Sequence, residues 1–381
     1  MAIRFTPSPN ANSDPNPSPP ASSDASFFSS LADGSTLYSN GNGRGDNGAK
    51  TPAVVVLRAL GLGDLLTVVP ALRALADAFP RHPRLLAAPP ALAPLARCTG
   101  AVDEVIPTSG LDKRPHRRLH GRLHGAGIAV NLHDRGPESH QLLLATEPRR
   151  LVAFAHPVVP ASSEGPRWRA DEHEVLRWCR LLEENGIAAD PSRLDLELPP
   201  GPLPYGARGA TLIHPGASSP ARCWPPQRFA AVARAEIDLG REVMITGGPS
   251  EVELAHEVAR LAGLPEAAVW IGNGGVLALA RMVQAADRVI CGDTGVAHLA
   301  TALGTPSVVL FGPVSPALWG PPPDRPWNKP LWAGTSGDPS SQLPDPGLLS
   351  LSVDDVLEAL DTLPTSPYRL VQVPAASGAP R

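Results

Sequence analysis

A chain of 381 residues is too long for one small core and comfortable for two domains. With 43% hydrophobic and 18% charged residues it has the make-up of an ordinary globular protein, and a formal net charge of -4 argues against a general nucleic-acid binder. Cys98, Cys179, Cys223 and Cys291 form no CxxC pair, which disfavours a zinc site or disulfide framework and fits a reducing, cytoplasmic setting.

From Met1 to about Thr51 the chain is rich in Ser, Pro, Asn, Gly and Asp without periodicity, and it reads as a disordered tail that buries too little apolar surface to offset ordering. Its start lacks the charged-then-apolar pattern of a secretory signal, and no run approaches the roughly 18 to 20 apolar residues that span a bilayer. Order begins at Ala53 with a β-branched run to Leu57, the mark of a strand buried on both faces. The turn Gly61-Leu62-Gly63 follows, and Asp64 opens a helical pattern through Leu65, Val68, Val69, Leu72, Leu75 and Phe79. Further strands are expected at Leu85 to Ala88, Glu104 to Ile106, Ile128 to Leu132 and Leu151 to Phe154. A helix from about Asp171 to Glu184 is closed by Asn185-Gly186.

Pro/Gly punctuation from Pro199 to Gly209 separates an N-terminal domain, residues 52–200, from a C-terminal one, residues 208–331. There, strands at Thr211 to His214, Glu242 to Thr246, Ala268 to Ile271, Asp287 to Cys291 and Ser307 to Phe311 alternate with helices at Pro226 to Leu239, Ser250 to Leu261, Val276 to Ala285 and Thr294 to Leu303. A Pro-rich irregular segment at 332–350, a C-terminal helix within 351–364 and a tail at 365–381 complete the chain. The expected class is α/β, with two doubly wound Rossmann-like domains facing a central cleft at the carboxyl ends of their strands.

Candidate site residues sit on strand-to-helix loops. In Arg58-Ala59-Leu60-Gly61-Leu62-Gly63-Asp64 the third glycine of a dinucleotide fingerprint is replaced by Leu66, which disfavours a nicotinamide or flavin enzyme. Asp64 reads equally as a helix N-cap or as a general base at the cleft edge. Cys291-Gly292-Asp293-Thr294-Gly295-Val296-Ala297-His298 places Thr294 and Gly295 at a helix N-terminus suited to a pyrophosphate, with Asp293 a cap or a partner for sugar hydroxyls. His298 reads as an interior histidine or a donor contact. In the loop from His214 to Pro225, Ser218, Ser219 and Arg222 suit phosphate oxygens, while Trp224 is expected to pack. Gly247-Gly248 allow close backbone approach, and Glu251 reads as a ribose ligand or a first-turn helix acid. The basic stretch from Lys113 to His124 reads as a solvated face or, through Arg117 and Arg118, a contact for an anionic acceptor; Arg58 and Gly63 join that acceptor side. His116, His120 and His124 have i, i+4 spacing but no carboxylate beside them, so no metal is expected.

Three stretches, LRALGLGDLLTVVPALRALADAFP, IHPGASSPARCWPPQRFAAVA and CGDTGVAHLATALGTPSVVLFGPVSPALWG, resemble glycosyltransferase family nine, the heptosyltransferase-like enzymes with the GT-B fold. The resemblance covers about Ala53 to Gly320. It implies an inverting, metal-independent transfer of heptose from an ADP-linked donor, with Asp64 as the base that deprotonates the acceptor hydroxyl. It also implies donor phosphates near Ser218, Arg222 and Thr294-Gly295, and Asp293 near the donor sugar. Arginine stands at 222 where the family often has lysine. No cofactor is implied, since the nucleotide-sugar is a substrate. The expected partners are that donor and a glycan, glycolipid or small-molecule acceptor, handled by a cytoplasmic monomer compatible with peripheral contact at the inner face of the plasma membrane. A GT-B-type sugar-nucleotide epimerase or hydrolase, and a non-catalytic nucleotide-sugar-binding protein, are the competing readings.

Overall fold

The computed structural model describes residues 51–111, 119–272 and 274–364. The expected tails, apart from Thr51, and half of the basic stretch, with Arg117 and Arg118, lie outside the described residues.

Among the described residues, eleven strands, all paired in parallel, form two sheets. The first orders β3-β2-β1-β4-β5, from β1 (Val54–Leu57), β2 (Arg84–Ala88), β3 (Glu104–Pro107), β4 (Ile128–Asn131) and β5 (Arg150–Val152). The second orders β11-β10-β9-β6-β7-β8, from β6 (Thr211–His214), β7 (Val243–Gly247), β8 (Val269–Ile271), β9 (Arg288–Gly292), β10 (Ser307–Phe311) and β11 (Asn328–Trp332). Each order starts from a central first strand, steps outward to one side and crosses back to the other, the doubly wound arrangement that puts ligands at the carboxyl ends of the central strands. In the first sheet Val54 pairs with Arg84 on one side and Ile128 on the other; in the second Thr211 pairs with Val243 and Arg288. The central strands are buried throughout, as their unbroken apolar runs require.

Three features depart from the sequence pattern. The helical run after Asp64 is two helices, Leu62–Thr67 and Val69–Ala78, broken at Val68 (φ -98°, ψ 2°). Pro70 has no N–H to donate and its ring would crowd the carbonyl four residues back, so the helix restarts with proline in its first turn. Strand β11 lies where only Pro-rich chain was expected; Pro330 is tolerated because β11 is an edge strand paired to β10 alone. Part of the expected irregular segment is the short helix Pro346–Ser350, capped by the Asp345 carboxylate, which accepts from the Leu348 amide at 3.0 Å. The last helix, Val353–Asp361, carries a Ser352/Asp355 capping box and packs on the helix Pro226–Asp238. Trp224 packs as expected: it is buried, meets Phe229 edge-on at 5.1 Å and donates its indole N–H to the Leu351 carbonyl at 3.1 Å.

Between Glu183 and Thr211 the chain has no regular element, and arginines from both sides clasp this connection. Arg73, beside the first sheet, donates to the carbonyls of Arg193 (2.7 Å) and Asp195 (2.6 Å). Arg325, from the second, pairs with the Asp195 carboxylate at 2.5 Å and donates to Ser192 O at 3.1 Å.

Candidate active site

The loop after β1 and the loop after β9 meet. Helix Leu62–Thr67 and helix Gly295–Leu303 pack so closely that each presents a glycine to the other. A Cβ at Gly63 would lie 2.8 Å from His298 Cδ2, and a Cβ at Gly295 would lie 2.8 Å from Leu62 Cβ. The neighbouring helix occupies the α-carbon side of each glycine. Gly63→Ala should therefore destabilise the protein by about 1–3 kcal/mol through overpacking against the His298 ring, read as a lowered urea midpoint.

Asp64 stands at the third position of its helix. Its carboxylate accepts from the Gly61 amide at 3.1 Å, so it caps the helix by reaching back and is not itself the N-cap residue. Its side chain is 29% exposed, with Oδ1 held by Arg58 and Oδ2 by the Gly61 amide. Arg58 does the fixing. This residue is 1% exposed, so its guanidinium is not available to an acceptor as expected. It donates to Asp64 O (2.9 Å), Asp64 Oδ1 (3.3 Å), Thr67 Oγ1 (3.2 Å), Leu132 O (2.6 Å) and Glu174 Oε1 (3.1 Å). Glu174, buried at the start of the helix Glu174–Glu183, also accepts from Trp178 Nε1 at 2.8 Å and pairs with Arg177.

Sequence reasoning missed Glu174 and the preceding His173. His173 Nδ1 accepts from the Val175 amide at 3.3 Å, which leaves the proton on Nε2, and Nε2 donates to the Gly320 carbonyl at 3.0 Å. One helix start thus grips both halves of the molecule. An apolar groove of about 730 Å³, lined by His173, Leu176, Pro321, Pro322 and Pro323 among others, opens beside this link; Asp64 does not line it.

On the second sheet the expected residues gather at the carboxyl ends of β6, β7 and β9. The Asp293 carboxylate is 3.5 Å from Arg222 Nη1. Asp293 is buried, which pushes its pKa above the ordinary carboxylate value against the opposing pull of Arg222. The N-cap is its neighbour Thr294, whose hydroxyl accepts from the Val296 amide at 3.2 Å, so that amide is already engaged. Arg222 is anchored because its own carbonyl packs against Gly292, 3.0 Å from where a Cβ there would stand. Its Nε is buried without a hydrogen-bond partner among the described residues.

Glu251 accepts from the Gly248 amide at 2.7 Å and lies over Gly216, where a Cβ would be 2.0 Å from its Oε1. His214 holds Thr246 Oγ1 at 3.1 Å and faces Glu251 Oε2 at 3.7 Å; burial holds this histidine below the ordinary range. Ser218 is exposed. Ser219 caps the turn Pro220–Arg222 and donates its proton to Pro339 O at 2.7 Å, so its hydroxyl holds the Pro-rich segment and is not free for a phosphate as expected.

His298 lies between the two groups, edge-on to Trp319 at 6.0 Å. Burial first, then His173, Arg222 and Arg58, push it down to about 4 against the pull of Glu174. An unfolded histidine takes a proton near pH 6.5, so folding should lose stability progressively as pH falls from about 6.5 to about 4. His298→Gln should flatten that slope in urea titrations; His140 and His214, also held low by burial, leave a residual slope. Among the described residues no cluster of three or more His, Cys, Asp or Glu would hold a metal, and no helix is long and apolar enough to cross a membrane. In the remaining basic stretch, His120 caps the short turn Gly121–Leu123, and Arg122 pairs with Glu104.

Two facing Rossmann-like units with loops converging from both define the GT-B class of fold. Residues 167–334 match the family model described as glycosyltransferase family 9 (heptosyltransferase), and the chain resembles that family as its motifs indicate. Lipopolysaccharide heptosyltransferase 3 of Escherichia coli is 32% identical over 161 residues, 40% of this chain and 46% of that protein, so the match spans about half the relative's length. The crystal structure of a family 9 glycosyl transferase from Veillonella parvula DSM 2008 superposes with a TM-score of 0.67 at 21% identity, covering 82% of this chain and 97% of that one. E. coli ADP-heptose lps heptosyltransferase II gives 0.65 at 19% identity, covering 81% and 97%.

Proposed function

We propose that the protein is an inverting, metal-independent glycosyltransferase that moves a sugar, heptose by analogy with its relatives, from an ADP-linked donor to a hydroxyl of a glycan, glycolipid or small molecule. The observation that carries this reading is the reciprocal packing of Gly63 on His298 and Gly295 on Leu62. It sets the Asp64 turn against the Asp293-Thr294-Gly295 turn across the boundary between the two sheets.

Asp64, aimed by Arg58 and partly open to the cleft, takes the proton from the acceptor hydroxyl as that oxygen attacks the anomeric carbon. Attack from the face opposite the departing diphosphate inverts the centre. The leaving ADP gains charge, which Arg222 and the Thr294-Gly295 helix start stabilise without a metal. Asp293, unsuited to a phosphate, accepts from sugar hydroxyls, and Glu251, in the loop that follows β7, takes the ribose diol. His298, neutral at pH 7, adds no charge between base and diphosphate. Thermal shift against ADP-heptose, UDP-glucose, GDP-mannose and their free nucleotides tests the donor class: ADP and ADP-heptose should raise the melting temperature most. Equal or stronger stabilisation by a uridine or guanosine sugar would overturn the ADP assignment.

A further inference from the structure

Asp64 reaches Glu174 through one guanidinium. Arg58 Nη2 lies 3.3 Å from Asp64 Oδ1 and 3.1 Å from Glu174 Oε1, and the Arg58 and Glu174 side chains are only 1% and 5% exposed. Glu174 is itself immobilised by the Trp178 indole at 2.8 Å and by Arg177, which stacks on Trp168 at 4.4 Å. The set contains two arginines and two carboxylates, and only Asp64 has an open side. A buried arginine facing Asp64 alone would draw that carboxylate inward and weaken it as a base, because an adjacent cation favours the charged form.

We infer that Glu174 is a positioning residue for Asp64: it takes up part of the Arg58 guanidinium, so that Arg58 orients Asp64 toward the cleft without quenching its basicity. The inference rests on the reading of Asp64 as the base, and it extends the site to a residue 116 positions away from Arg58 in the chain. Glu174 touches no substrate; it acts through Arg58.

The experiment compares the full chain with Glu174→Gln, Glu174→Asp and the control Glu172→Gln. Glu172 pairs with Arg180 further along the same helix, at 2.7 Å, and has no contact with Arg58. The first readout needs no turnover: ¹³C NMR of the Asp64 carboxyl carbon, assigned with Asp64→Asn. In Glu174→Gln its titration midpoint should move down by about one pH unit, since one negative neighbour is lost and Arg58 is left uncompensated. Glu174→Asp, which keeps the charge one methylene further back, should move it less, and Glu172→Gln should leave it in place. The second readout is ADP release from ADP-heptose with acceptor. Glu174→Gln should lower kcat about tenfold or more with the donor KM little changed, and the acid limb of the rate profile should move to lower pH.

If Glu174→Gln does not fold, Glu174→Asp carries the test through the same midpoint. An unmoved midpoint in every folded Glu174 variant overturns the inference, as does an equal shift in Glu172→Gln. Absence of ADP release by the wild type would instead count against the proposed function, and the midpoint would still decide the Asp64–Glu174 coupling.

Discussion

Asp64→Asn is expected to lower transfer by about 10²- to 10⁴-fold, the range a positioned general base contributes, while ADP binding stays essentially unchanged. Asparagine has the same shape and keeps one of the two oxygens, so it can retain one of the two contacts that Arg58 makes to Oδ1 at 3.3 Å and Gly61 N–H makes to Oδ2 at 3.1 Å. What it loses is the capacity to accept a proton. The loops proposed for ADP belong to the other sheet, so isothermal titration with ADP should give the same affinity for variant and wild type. A variant with normal turnover would remove Asp64 from the chemistry. One that lost ADP binding as well would show that the substitution had disturbed the packing of the two halves.

The second large effect belongs to Arg222. Arg222→Ala is expected to raise the donor KM and the ADP dissociation constant by about 10- to 100-fold, the value of one or two charge-assisted hydrogen bonds. It also strands Asp293, a buried carboxylate whose neighbouring cation is Arg222 at 3.5 Å, so some loss of thermal stability should accompany the loss of affinity. Arg222→Lys separates the two contributions. It keeps the charge beside Asp293 and should restore stability, but it gives up the planar fork and should recover donor affinity only in part. Titration calorimetry with ADP and thermal melts on the same samples check both. Unchanged ADP affinity in Arg222→Ala would move the diphosphate site elsewhere.

Much of the fold was legible because parallel strands buried on both faces leave a local signal. Val54–Leu57, Thr211–His214 and Ser307–Phe311 are short unbroken apolar or β-branched runs, each followed by a loop rich in glycine, hydroxyls or acids. The loops were legible for the same reason, and so was the gathering of Arg222, Glu251 and Asp293 at one sheet edge. The less local features were hidden. Strand β11 contains Pro330, which argues against a strand until the edge position is known. Gly63 and Gly295 read as acceptor-side and donor-side contacts, and nothing in either loop says that the other will pack against its α-carbon. Arg58 read as an acceptor contact, and Ser219 as a phosphate contact; their partners Glu174 and Pro339 lie more than a hundred positions away. Glu174 lay within a stretch read only as a helix from about Asp171 to Glu184. Only the fold turns it inward, where a carboxylate must be paired to be tolerated.

A transferase, unlike a hydrolase or epimerase of the donor, releases ADP only as the sugar passes to an acceptor. Transfer is tested most directly by ³¹P NMR of ADP-heptose incubated with the full chain, with and without a mixture of glycan and glycolipid acceptors. ADP should appear only when acceptor is present, and Asp64→Asn should suppress its appearance. ADP or an isomerised sugar nucleotide formed at the same rate without acceptor would contradict transfer.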